Sequence, residues 1–241
     1  MDITAIKINK PRYQLIDAAR GLSIILMVFY HFGFDLYLYC GLPDRVMFNP
    51  VLNALWFFFA SLFIFMSGAS SLMSRSNIKR GLKILAAALA ITVVTYLFDP
   101  EIFIKFGILH FLGCCALIYA LLRPLLDKIP LAMQPVIYIA LYFLTRYATR
   151  AEVESEWLFM FGFTAPGFTS GDYFPLLPWI FIYLLGTWFG RLVVARRLPG
   201  WFYTFDMPFL PAVGRRTLWV YVAHQPVLMG IVYVILYFQG K

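Results

Sequence analysis

The sequence predicts an all-α fold, a polytopic transmembrane helical bundle of about seven spans, on three observations. Hydrophobic residues make up 62% of the 241 residues and charged residues only 13%, with a mean hydropathy of +0.78, which excludes an ordinary soluble domain. Apolar runs of ~20 residues recur between polar or proline-containing breaks. Lysine and arginine collect on alternate breaks, as expected of a chain that crosses a bilayer repeatedly. The aromatic content of 19% fits the same picture, because rows such as Trp56-Phe57-Phe58-Phe59 and Trp201-Phe202-Tyr203 suit lipid-facing walls and interfacial belts.

Taken in order, the predicted spans are 15–39, 51–73, 81–98, 106–125, 131–148, 175–193 and 214–238. The fifth has the shortest clean apolar run, because Pro135 and Arg146 interrupt it. No cleavable leader is expected, since Asp17 and Arg20 break the first run and no small-residue cleavage site follows. With neither an internal repeat nor a low-complexity linker, residues 1–241 read as one transmembrane domain. Of the 20 Lys and Arg, 14 fall on the N-terminal side of this topology: Lys7, Lys10, Arg12, Arg75, Lys79, Arg80, Lys83, Arg123, Lys128, Arg191, Arg196, Arg197, Arg215 and Arg216. Arg45, Lys105, Arg146, Arg150 and Lys241 fall on the other, and Arg20 lies within the first span. The bias predicts a cytoplasmic N-terminus and an external C-terminus. It also accounts for the net charge of +8 without a nucleic acid. Cys40 and the adjacent Cys114-Cys115 form neither a disulfide framework nor a metal-ligand spacing, so no metal is expected.

The first span carries the main chemical signal. Asp17, Arg20, His31 and Asp35 lie inside it, and at about 100° per residue they share one narrow stripe ~27 Å long. Charged groups facing lipid cost roughly 2.5–3.5 kcal/mol each, so the stripe should face the bundle interior or a wet cavity and is a candidate functional site. The bland alternative for Asp17 and Arg20 is a structural ion pair at i,i+3. It does not account for an imidazole three turns away.

Depth counting sets the other polar groups around this stripe. His31 lies ~24 Å along the first span and His110 ~6 Å inside the fourth, near the outer level of Asp35 and Asp172. At the opposite level, Ser67-Gly68-Ala69-Ser70-Ser71 closes the second span, and Arg75, Lys79, Arg80 and Lys83 follow. Small residues leave room for a thin ligand or simply let helices pack, and the cations suit phosphates or simply obey the charge bias. The loop over 149–174, rich in Gly, Pro and aromatics, reads as an outer lid or as a solvated connector. Trp179 is expected at the interface beyond it. In the last span, His224-Gln225-Pro226 falls near mid-membrane, where a proline frees a backbone carbonyl; His224 and Gln225 fit structural glue at a kink better than direct catalysis.

Several stretches carry a resemblance: Asp17-Ala-Ala-Arg20-Gly21 with Met27-Val-Phe-Tyr-His31-Phe and Asp35, Phe65-Met-Ser67-Gly68, Phe106-Gly-Ile-Leu-His110-Phe, Asp172-Tyr-Phe-Pro-Leu-Leu-Pro-Trp179, and Gly214-Arg-Arg-Thr-Leu with His224-Gln-Pro226. In order, they resemble bacterial membrane proteins grouped with the heparan-alpha-glucosaminide N-acetyltransferase catalytic domain. The arginine and the histidine eleven positions later also match acyltransferase family three at Arg20 and His31. The resemblance implies an integral protein of the bacterial inner membrane that moves an acetyl group from cytoplasmic acetyl-coenzyme A to an extracytoplasmic acceptor, a glycan amine or hydroxyl.

On that reading Arg75, Lys79, Arg80, Lys83, Arg215 and Arg216 meet the coenzyme A phosphates, and the pantetheine arm runs past Ser67 and Arg20. His31 acts as general base or transient acyl carrier, Asp35 at i+4 orients it, and Asp17 fixes Arg20. His110, Asp172 and Trp179 position the acceptor. Self-association is left open. The alternatives are a proton-coupled transporter or lipid-handling protein that uses the stripe as a relay, and a silent scaffold for a partner enzyme.

Overall fold

The computed structural model describes residues 13–101 and 103–240, so Lys7, Lys10, Arg12 and Lys241 lie outside it. The described residues contain helices and no β-strand, only one isolated backbone bridge between Phe106 and Tyr173. Six helices are long and apolar enough to cross a membrane: α1 (Gln14–Cys40), α3 (Pro50–Ser71), α4 (Asn77–Phe98), α5 (Ile108–Leu126), α7 (Leu176–Val194) and α10 (Thr217–Phe238). Short helices α2 (Asp44–Met47), α8 (Gly200–Thr204) and α9 (Phe209–Gly214) sit in the connections.

The expected fifth span is α6 (Gln134–Ala148), whose 15 residues extend only ~22 Å. It nevertheless runs beside α7 from one end of the bundle to the other. At its start the Gln134 amide donates to the Leu126 and Ile129 carbonyls, and the Trp188 indole donates to the nearby Leu131 carbonyl. Past its far end, Gly162 packs between Thr149 and Leu177. Pro130 and Pro135 delay the helix, so turns at both ends cover the distance the helix does not. We call the end at which α1 begins proximal and the opposite end distal.

Local chemistry sets the boundaries. Asn49 caps α3 by accepting the Leu52 N–H, with Pro50 as its first residue, and Ser76 caps α4 through the Lys79 N–H. Gly41 ends α1 in the left-handed region at φ 77°. Two close helix contacts place the site. A Cβ on Gly214 would overlap the Asp17 carbonyl, and one on Gly21 the Leu210 carbonyl, so α9 lies directly on the proximal part of α1. Gly68 and Gly186 do the same for α3 against α7, meeting the Tyr183 and Phe65 carbonyls. The small-residue run at the end of α3 is thereby explained as helix packing. Ile64, Phe111, Tyr183 and Ile24 lie in the core formed among α1, α3, α5 and α7.

Candidate active site

The α1 stripe survives as a physical object, with its two ends in different states. At the proximal end, Arg20 sits 3.6 Å from Asp17 and donates to the Thr217 hydroxyl of α10 at 2.7 Å. Its Nε is buried without a protein partner. Across from it Arg80 folds inward, donating to Ser71 Oγ at 3.1 Å and to the Ser67 carbonyl at 3.2 Å; Ser71 in turn pairs with the Tyr183 hydroxyl at 2.6 Å. The Asn77 amide donates to the Ser71 carbonyl, while its Oδ1 is buried without a partner. Two guanidinium groups within electrostatic reach of each other therefore share the proximal core with the Asp17 carboxylate. Arg75, Lys79, Lys83, Arg215 and Arg216 are exposed around the same end, as the predicted basic mouth required. Ser67 contributes a carbonyl to this network and is itself buried.

At the distal end the expected pairing changes. Asp35 does not orient His31. Both of its oxygens accept from the Gln225 amide, at 2.9 and 3.0 Å. The i+4 spacing puts Asp35 on the right face of α1, but a neutral donor on α10 offers it two bonds and satisfies a buried carboxylate without a second charge. His31 instead faces His224, with ring centroids 5.0 Å apart and the rings near edge-to-face. His224 Nδ1 is tied to the Tyr221 carbonyl and its Nε2 is buried without a partner. Depth counting placed these two imidazoles at different levels because it assumed one continuous last span. α9 occupies the proximal part of α1, and α10 begins only at Thr217 beside Arg20, ~9 Å into α1, which carries His224 towards the level of His31.

Asp172 completes the distal cluster. Its Oδ2 accepts from the Ile108 N–H at 2.8 Å and from the Tyr221 hydroxyl at 3.0 Å. Burial pushes its carboxyl above the ordinary value, against these two hydrogen bonds and the nearby His224, which all pull it down. Gly107 is required beside it, since a Cβ there would collide with Oδ2. Thus one carboxylate caps α5, holds the loop and, through Tyr221, leads to the backbone that fixes His224.

Two predicted acceptor-binding residues are structural. His110 accepts the Gly107 N–H at Nδ1 and bonds the Thr92 hydroxyl at Nε2 at 3.1 Å, so both ring nitrogens are committed. Trp179 is buried against Phe57 and Phe174, with centroids 5.4 and 5.1 Å away, and serves the core rather than the interface. Conversely, Tyr221, Thr217 and His224 belong to the site. Tyr221, one turn before His224, was readable only as another aromatic in an apolar helix.

A cavity of about 410 Å³ lies between the two ends. It follows α1 from Ser23 to Phe34, ~16 Å, with His31 in its wall and Asp172 at its distal roof. Ser23 is one turn from Arg20, so the cavity reaches almost from the guanidinium cluster to the imidazole pair. Guanidinium groups one turn short of the cavity, an apolar passage and His31 in its wall can hold an anionic carrier at one end and abstract a proton at the other.

The profile of the family described as heparan-alpha-glucosaminide N-acetyltransferase, catalytic, matches residues 12–226, nearly the whole chain. The chain belongs to that family. Membership in the heparan-alpha-glucosaminide N-acetyltransferase catalytic family makes this an integral membrane protein and implies an acyltransferase. Neither a curated protein nor a solved structure gives a match. The family match ends within α10 at Pro226, just past His224 and Gln225, and so spans both ends of the stripe.

Proposed function

We propose that the protein transfers an acetyl group from cytoplasmic acetyl-coenzyme A, bound at the proximal end, to an amine or hydroxyl acceptor on the other side of the membrane, with chemistry at His31 and His224. The carrying observation is the contact between two imidazoles at the distal part of a cavity whose other end approaches Arg20. The proximal end is assigned to the cytoplasm by the charge bias, since the described cations outside the spans cluster there. The residues suit a coenzyme A thioester: Arg20 keeps an unpartnered buried Nε, Arg80 adds a second guanidinium, and Lys79, Lys83, Arg215 and Arg216 are free to meet phosphates at the rim.

His31 takes the proton from the acceptor as its nitrogen or oxygen attacks the thioester carbonyl. The carbon–sulfur bond breaks, and the imidazolium returns the proton to the departing thiolate, so atoms and charge balance. His224, whose Nδ1–H is given to the Tyr221 carbonyl, keeps an unpartnered Nε2 lone pair that can take up and relay the proton. Asp35 and Gln225 hold α1 against α10, which sets the distance between the histidines.

Purified protein given radiolabelled acetyl-coenzyme A and a panel of amino and hydroxyl sugars should yield labelled acceptor, and His31→Ala should bind coenzyme A normally while losing transfer. Wild-type turnover by His31→Ala would refute the mechanism. PH-driven ion flux in liposomes with no coenzyme A binding would replace it with transport.

A further inference from the structure

The wall of the cavity beside His31 is built for hydrocarbon. Leu26, Met27 and Phe29 of α1 face Leu52, Leu55 and Phe59 of α3 across it. Its polar lining is concentrated distally, where His31 shares the wall with Asp172 and Ser170 of the distal loop, and Ser23 lies at the other end.

That loop is a roof rather than a gate. The Phe174 N–H donates to the Phe106 carbonyl, Asp172 bonds Ile108 and Tyr221, and Phe174 stacks between Trp56 and Trp179. The side facing the bilayer is different. Phe29 and Leu55, which line the cavity, are 66% and 46% exposed on the outer face of the bundle, so the cavity reaches the lipid-facing surface between α1 and α3. A free sugar lying along this apolar wall would leave most of its hydroxyls without partners, at a cost of roughly 1–3 kcal/mol each. A hydrocarbon chain would lose nothing and gain contact.

We propose that the acceptor is a membrane-resident amphipath, one hydrocarbon chain bearing an amine or hydroxyl head, which enters sideways between α1 and α3 and sets its head between His31 and Asp172; this rests on the acetyl transfer proposed above. The chain lies along Leu26, Phe29 and Leu55, and the head is the group from which His31 removes the proton. The donor approaches from the proximal end and the acceptor from the lipid, so the two substrates do not share an opening.

The test uses the full-length protein in lipid nanodiscs with acetyl-coenzyme A and a series of methyl, butyl, octyl and dodecyl glucosaminides. KM should fall about threefold to fourfold for each methylene the cavity buries. Leu55→Trp, which fills the lateral mouth from an exposed position, should raise KM for the octyl and dodecyl compounds at least about tenfold more than for the methyl compound; partitioning into the lipid is the same for both proteins and cancels in that ratio. A dodecyl glucosaminide carrying a diazirine on its chain should label peptides of α1 and α3, and unlabelled dodecyl but not methyl glucosaminide should displace it. Equal KM values for methyl and dodecyl acceptors in both proteins, with label scattered over the bundle, would overturn the proposal. Focused, displaceable labelling without transfer to any acceptor would uphold the cavity's occupant and refute the acetyl transfer instead.

Discussion

The two ends of the α1 stripe solve opposite problems with the same helix. At the proximal end, Arg20 is held by Asp17 and Thr217, and Arg80 is pinned by Ser71 and Ser67, so charge is fixed in place by partners on α1, α3 and α10. At the distal end, His31 has no hydrogen bond to protein among the described residues, and His224 keeps a buried nitrogen without one. Partners on several helices give the proximal guanidinium groups position, although Arg20 Nε and Asn77 Oδ1 stay unpartnered, whereas an imidazole left unbonded on one edge keeps its proton chemistry available. On the proposed function, binding and catalysis are divided along one helix.

The division is broken most sharply at His31. General base catalysis contributes about 10²–10⁴-fold, so His31→Ala should lower kcat by roughly 10³-fold. Its melting temperature in detergent should stay near wild type, because the side chain carries no hydrogen bond that the fold needs. A large drop in melting temperature with kcat preserved in the remaining folded protein would place His31 among the structural residues.

His224→Phe is the next largest test. It preserves the ring-to-ring contact with His31 while deleting both nitrogens, and it should lower kcat about 10-fold to 10²-fold with KM for acetyl-coenzyme A unchanged. If His224 only glued the kink at Pro226, stability would fall and kcat would not. Arg20→Ala should show the reverse pattern at the other end. It leaves Asp17 without its guanidinium and Thr217 without its donor, so stability should fall by about 1–3 kcal/mol. KM for acetyl-coenzyme A should rise while kcat at saturation stays within a fewfold, measured by melting and by initial rates.

How much of this was legible in the sequence follows the same split. Periodicity within one helix was enough to place Asp17, Arg20, His31 and Asp35 on one stripe, and apolar runs located the long helices; the expected fifth run forms α6, which is not among the six described helices long and apolar enough to cross a membrane. What sequence could not supply was the meeting of helices. The partner of Asp35 is 190 residues away, and the partner of Arg20 is 197 away. His31 meets His224 only because Gly21 and Gly214 let α9 lie against α1 and the break after it resets α10. His110 looked like an acceptor ligand because its depth was right. Its bonds to Gly107 and Thr92 depend on how α5 begins and how α4 passes it, neither of which the apolar pattern encodes.

The smallest expected effect concerns the roof. Asp172 lies outside the spans, and burial holds its carboxyl above the ordinary 3.8 despite the N–H and hydroxyl donated to it. An acid whose folded value exceeds its unfolded value binds its proton more tightly in the folded state. It therefore contributes stability that is fully present below about 3.8 and is lost as pH rises through the folded value. Asp172→Asn keeps an acceptor oxygen for Ile108 and Tyr221 and has no charge to desolvate. It should change stability by less than about 1 kcal/mol and flatten that part of the stability profile, because the hydrogen bonds it retains are the larger part of what the residue does. Melting curves of wild type and variant across the acid range should converge at low pH and separate towards neutrality, with the variant the more stable of the two there. A variant that was less stable at neutral pH, and equally so at every pH, would mean that the ionised carboxylate is worth more to the α5 cap and to Tyr221 than its burial costs. Asp172 would then belong with Arg20 and Asp17, as a charge held by its partners, and not with the exposed chemistry of the histidine pair.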